Sequence, residues 1–146
     1  MNKKFELLLD DTITIFGIRL FRIKALISFG SVEEGEIGGY VEKEDNLSSS
    51  GDAWVYGNAR VYGNAEVSGN AWVYGNADYI VFKNHWSSGR FFTYTKSNKM
   101  WKVGCFYGTG QELIEKAYQD SEESGKHYEA YVEFVEKLEK LEETND

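Results

Sequence analysis

The chain has 146 residues, no proline and a single cysteine, Cys105, which excludes an intrachain disulfide and a paired-cysteine zinc motif. Its net charge is −8, and the imbalance is confined to residues 110–146, where four lysines face twelve Asp and Glu; such a chain is not expected to hold nucleic acid by neutralising phosphates. The apolar run in "MNKKFELLLDD" is too short for a signal peptide and no stretch reaches the length of a membrane span, so the expectation is a soluble, cytoplasmic protein without membrane contact.

Four segments follow in chain order. Residues 1–40 form a β cap: "TITIFGIRLFRIKALISF" is rich in β-branched and aromatic residues and predicts two strands, with Asp10-Asp11 marking the turn, before the Gly- and Glu-rich connection "GSVEEGEIGG". Residues 41–80 carry a repeat, which aligned on alanine reads GDAWVY, GNARVY, GNAEVS, GNAWVY, GNADYI. Stepping back by sixes from Ala53 reaches Leu47 and Val41, both apolar, as in an atypical capping turn. Residues 81–108 form a β-hairpin cap, with "DYIVF", "RFFTYTK" and "KMWKVGCFY" as strands and "KSNK" as a turn. Residues 109–146 are an acidic helical segment. Thr109 and Glu112 fit a capping box, Leu113, Ile114, Ala117 and Tyr118 form one apolar face, and Tyr128, Tyr131, Val132, Val135 and Leu138 form another on a second helix. "ETND" reads as a frayed tail.

A strict period of six fits neither a plain strand nor a helix. It fits a short strand followed by a fixed bend. Val55, Val61, Val67 and Val73 suit short inward strands, and Ala53, Ala59, Ala65, Ala71 and Ala77 suit crowded inner corners. Gly-Asn tolerates the positive φ a bend requires. The spacing resembles the hexapeptide repeat of left-handed β-helices. That resemblance implies a mainly β fold with C-terminal α: about two coils of left-handed β-helix, capped by strands and a hairpin, then two helices. It implies three hexapeptides per coil, so that Trp54 stacks on Trp72, Tyr56 on Tyr74, Arg60 on Asp78 and Asn58 on Asn76.

The chain as a whole resembles Tyr-Gly-Asn-Ala-repeat proteins of phages and prophages of Gram-positive bacteria, through "LFRIKA" (20–25), "GEIGGYVEKEDNL" (35–47), the repeats and "VGCFYGTGQELIEKA" (103–117). The resemblance brings no catalytic residues. It implies a phage or prophage protein working in the cytoplasm of a bacterial host.

Two features are candidate contact sites. One is an aromatic face of Trp54, Tyr56, Trp72 and Tyr74, which either packs under the C-terminal helices or a symmetry mate, or binds a partner. The other is the acidic helix with Glu129, Glu133, Glu136, Glu139 and Glu143. It is either a solvated face or a surface that imitates nucleic-acid phosphates toward a basic, nucleic-acid-binding host protein. These point to a non-catalytic inhibitor of a host defence system, of the anti-CRISPR kind. Three rivals stand beside it: a hexapeptide-repeat acyltransferase with His85 as base, a self-assembling structural protein, and a sponge for a signalling nucleotide using Arg60, Arg90 and Lys102. No cofactor is expected. Asp45, Asp52 and Asp78 are too scattered for a metal site, Ser87-Ser88-Gly89 reads as a turn, and Cys105 reads as a buried, inert thiol.

Overall fold

A computed structural model describes residues 2–144. Three sheets and two helices make up the chain. The N-terminal sheet holds β1 (Phe5–Ile15), β2 (Ile18–Ala25), β3 (Ile37–Val41) and β5 (Arg60–Val61), in that order. A two-stranded sheet pairs β4 (Trp54–Val55) with β6 (Trp72–Val73). A C-terminal sheet, ordered β10-β9-β8-β7, holds β7 (Tyr79–Lys83), β8 (Phe91–Thr95), β9 (Met100–Val103) and β10 (Phe106–Thr109). Helices α1 (Gly110–Asp120) and α2 (Glu122–Thr144) follow.

β1 and β2 form the predicted pair, but the turn is not at Asp10-Asp11. β1 runs through those residues with an irregularity between Leu8 and Thr12, and the chain reverses at Phe16-Gly17, where both residues take positive φ. A two-residue reversal of that kind matches strand twist. The carboxylates sit instead in the bulge of an edge strand, where charge discourages pairing with another chain. "GEIGG" does more than connect: a Cβ on Gly38 would lie 2.8 Å from the Trp54 ring and 2.6 Å from the Val55 carbonyl. Two bare glycines let β3 press directly onto the repeat. Lys4, which is buried, donates to the Ser48 and Ala53 carbonyls at 3.0 and 2.8 Å. Burial holds its ammonium down to about 8, with Asp52 pulling the other way.

The expected left-handed β-helix of about two coils does not form. β3 and β5 are absorbed into a sheet otherwise built by the antiparallel strands β1 and β2, and the remaining parallel pair, β4–β6, is two residues long and one layer deep. Too few turns exist for neighbouring repeats to bury one another, so the flanking strands take over that role. The inner positions are largely as the spacing requires: Ala53, Ala59, Ala65 and Ala71 and the four repeat valines are buried. Ala77 is exposed, because the last repeat bends into a short 3-10 turn at Asn76–Asp78.

Register is split. Trp54 pairs with Trp72 and Val55 with Val73, eighteen residues apart, but Val41 pairs with Val61 and Leu47 with Val67, twenty apart. Val41 and Leu47 therefore occupy the valine positions, not the alanine positions that stepping back by sixes assigned them. The stretch from Leu47 to Ala53 is two residues longer than its counterpart from Val67 to Ala71. Arg60 does not stack on Asp78: its backbone pairs with Tyr40, while Asp78 Oδ2 accepts the Tyr74 and Gly75 amides. Asn58 and Asn76 bond different partners, Asn58 Oδ1 accepting from Arg22 and Asn76 Oδ1 from the Arg60 amide. Asn46, fully buried, donates to the Gly63 and Ala65 carbonyls and accepts the Glu42 and Lys43 amides.

The C-terminal sheet is larger than a hairpin. "KMWKVGCFY" divides into β9 and β10 at Gly104-Cys105, where Gly104 takes φ +57°, and this places Cys105 on an exposed turn instead of in a core. The capping box forms as expected, Thr109 Oγ1 accepting the Glu112 amide and Glu112 Oε1 the Thr109 amide. Tyr128, Val132 and Val135 of α2 pack with Leu113 and Ala117 of α1 over Phe92, Trp101 and Val103. α2 includes Glu143 and Thr144; the rest of the expected tail, 145–146, lies outside the described residues.

Trp54 is wholly buried against Phe5 and Phe29, whereas its register partner Trp72 is 47% exposed. Trp54→Ala is expected to destabilise the fold by about 3–5 kcal/mol, as for a large core side chain. Trp72→Ala should cost less than about 1 kcal/mol. Urea unfolding of the two variants gives the comparison.

Candidate protein-contact surface

The four aromatic residues expected on one outer face divide. Trp54 is not part of it: β3 and the Phe5 and Phe29 rings cover it, and its Nε1–H is buried without a hydrogen-bond partner. Tyr56 is half-buried and stacks on Tyr74, with ring centres 4.5 Å apart and planes within 15°. Tyr74 is 60% exposed and Trp72 47%. The open part of the face is thus Trp72 and Tyr74, with Tyr56 beneath as a rigid support. Cover comes from the N-terminal sheet, not from the C-terminal helices.

The β8–β9 turn, Lys96–Lys99, joins this face to α2. Ser97 Oγ accepts the Trp72 amide at 2.7 Å, and Asn98 Nδ2 donates to Asn70 Oδ1 at 2.9 Å and to the Tyr107 hydroxyl at 2.7 Å. That hydroxyl donates in turn to the Ser68 carbonyl. On the other side of the same turn, Lys96 pairs with Glu142 at 2.7 Å and Lys99 with Glu139 at 2.6 Å. Two features more than fifty residues apart in sequence therefore meet across four residues. "KSNK" was legible as a turn, but nothing in it signalled a bridge.

The five candidate glutamates are not equivalent. Glu139 is a docking residue: it holds Lys99 and accepts the Tyr94 hydroxyl, and its side chain is 19% exposed. Glu129 accepts the Tyr118 hydroxyl at 2.7 Å, an α1–α2 contact. Glu133, Glu136 and Glu143 are exposed. Burial pulls the Glu139 carboxyl upward, but Lys99 and Tyr94 outweigh it and hold it below its ordinary value. Burial first, then that same carboxylate, pushes the Tyr94 hydroxyl far up.

His85 is exposed on the β7–β8 loop, edge-on to Trp86 and to His127, with ring centres 5.3 and 5.5 Å away. Among the described residues neither His85 nor His127 is hydrogen-bonded or ion-paired to a carboxylate or hydroxyl; the His127 ring meets the Glu123 carbonyl. Arg60 lies in the repeat, whereas Arg90 and Lys102 both reach Gly104, so the three cations do not converge on one pocket. Among the described residues no group of three or more His, Cys, Asp and Glu could hold a metal ion, and no helix is long and apolar enough to cross a membrane. No protein-family model matches the chain, and no curated protein matches it significantly.

The Glu139 carboxyl is depressed in the fold, so its contribution is present above the unfolded value, roughly 4.3, and is lost as pH falls through the folded one. Glu139→Gln should lower stability at pH 7 by about 1 kcal/mol, since Lys99 is itself exposed to solvent. The gap between wild type and variant should narrow as the pH is lowered from 7 into the acid range, as read from urea midpoints along the series.

Proposed function

We propose that the protein acts by binding a protein partner through the Trp72–Tyr74 face and the neighbouring acidic edge of α2, not by catalysis. The observation that carries this reading is the pair of open aromatic side chains held on a backbone fixed from both sides, by the β4–β6 pairing and by Ser97. Exposed Trp and Tyr on a rigid base lose little conformational freedom on binding and are the residue types that dominate interface energetics. Glu133, Glu136 and Glu143 favour a partner with a basic surface, whose approach their field would steer.

The sharper form of the proposal is an inhibitor of a host defence protein, in the manner of anti-CRISPR proteins. Its support is the likeness of the chain to phage and prophage proteins, together with the exposed carboxylates of α2, which would suit a basic, nucleic-acid-binding effector.

The test is a pull-down from a Gram-positive host, comparing wild type, Trp72→Ala/Tyr74→Ala, and Glu133→Lys/Glu136→Lys/Glu143→Lys, with circular dichroism to establish that each is folded. A partner retained by wild type should be lost or weakened at least about 30-fold by the aromatic pair, the effect of a hot spot worth about 2 kcal/mol or more. The charge reversal should slow association and weaken its salt dependence. Equal capture by all three proteins, or concentration-dependent self-assembly abolished by the aromatic pair, contradicts the proposal.

A further inference from the structure

A cleft of about 450 Å³ opens between the C-terminal sheet and the two helices, and none of its lining residues belongs to the contact surface. Its size is that of a small-molecule site. The apolar wall is Val103, Phe106, Leu113 and the buried Tyr128; the polar rim includes Ser87, Ser88, Ser124, Arg90 and Lys116. In a chain that carries its whole negative excess after residue 109, this rim has two cations and one carboxylate, Asp120, which lies 3.6 Å from Lys116.

The guanidinium lies close against the β9–β10 turn: Gly104 takes φ +57°, and a Cβ there would lie 2.5 Å from Arg90 Nη1 and 2.9 Å from its Cζ. Among the described residues it forms no ion pair with any carboxylate. The serines are placed as well. Asn84, 4% exposed, accepts the Trp86 and Ser87 amides and closes the loop by donating its own amide to the Arg90 carbonyl at 2.8 Å. Ser88 Oγ accepts the Arg90 amide and Ser124 Oγ the Trp86 indole, which leaves both hydroxyl protons free to donate.

An unpaired guanidinium fork, an ammonium and hydroxyl donors around one mouth match an oxyanion with three peripheral oxygens, and the apolar wall matches an organic body attached to it. We infer that this cleft binds a phosphate monoester with an apolar or aromatic organic part. Arg90 takes two phosphate oxygens, Lys116 turns from Asp120 to a third, and the body lies along Phe106 and Tyr128.

Phenyl phosphate is the probe, titrated into the full chain by calorimetry and by ¹H–¹⁵N NMR, with phenol, benzoate and inorganic phosphate as comparisons. Phenyl phosphate should bind at least ten-fold more tightly than any of the three and should shift the amides of Ser87–Arg90 and Gly104–Cys105. Arg90→Gln and Lys116→Gln should each weaken it by ten-fold or more, while Arg60→Gln, an exposed cation removed from the repeat, leaves it unchanged. Equal affinity for benzoate, equal loss in Arg60→Gln, or unaltered binding in Arg90→Gln overturns the assignment. So does a shift pattern away from the cleft, which settles the matter even if a variant is poorly folded.

Discussion

The column of small and branched side chains that the repeat turns inward is what the other elements are built to cover. Val41, Leu47, Val55, Val61, Val67 and Val73 and the four alanines between them are all buried. Each valine withdrawn from water contributes about 1.5–3 kcal/mol, but only if both open sides of the column are closed. β1–β3 close one side and the C-terminal sheet closes the other, where Thr93 Oγ1 takes the Glu66 amide and a Cβ on Gly69 would collide with the Tyr107 ring. A repeat too short to stack upon itself has instead become the joint between a mixed N-terminal sheet and an antiparallel C-terminal one.

That arrangement decides which outward residues remain outward. Trp54 and Trp72 occupy equivalent positions, one above the other, yet one is core and the other surface. The difference is the Gly38-Gly39 approach, which brings the N-terminal sheet down over the first and stops short of the second. The Lys96–Lys99 turn then sets the acidic helix beside the open pair, at the expense of Glu139 and Glu142, whose charges are taken up in the joint.

The period of six identified the inward side chains except Ala77, because the alternation follows from local backbone geometry, while the Trp54–Trp72 register came from the likeness to β-helix repeats. It could not show that the stretch from Leu47 to Ala53 is two residues too long for a constant register, since Leu47 reads as apolar in either column. It could not show the burial of Trp54, which depends on a sheet folded from residues far away in sequence. The helical spacing of Tyr128, Val132 and Val135 was legible for the same local reason as the repeat. The turn at Gly104-Cys105 was hidden inside an apolar run, and with it the exposure of the thiol and the seat of Arg90. Even the lone glycine in that run was a signal of a bend.

Hydrogen exchange of the ¹⁵N-labelled protein, followed by NMR at pH 7, tests the central claim directly. If the parallel register holds, the amides of Tyr40, Trp54 and Tyr56, which donate to Ala59, Ala71 and Val73, exchange slowly, as does the Trp54 indole N–H, while the Trp72 indole N–H exchanges at once. Equal exchange of the two indoles, or rapid exchange of those three amides, would contradict a joint in which one tryptophan is core and its register partner is the contact surface.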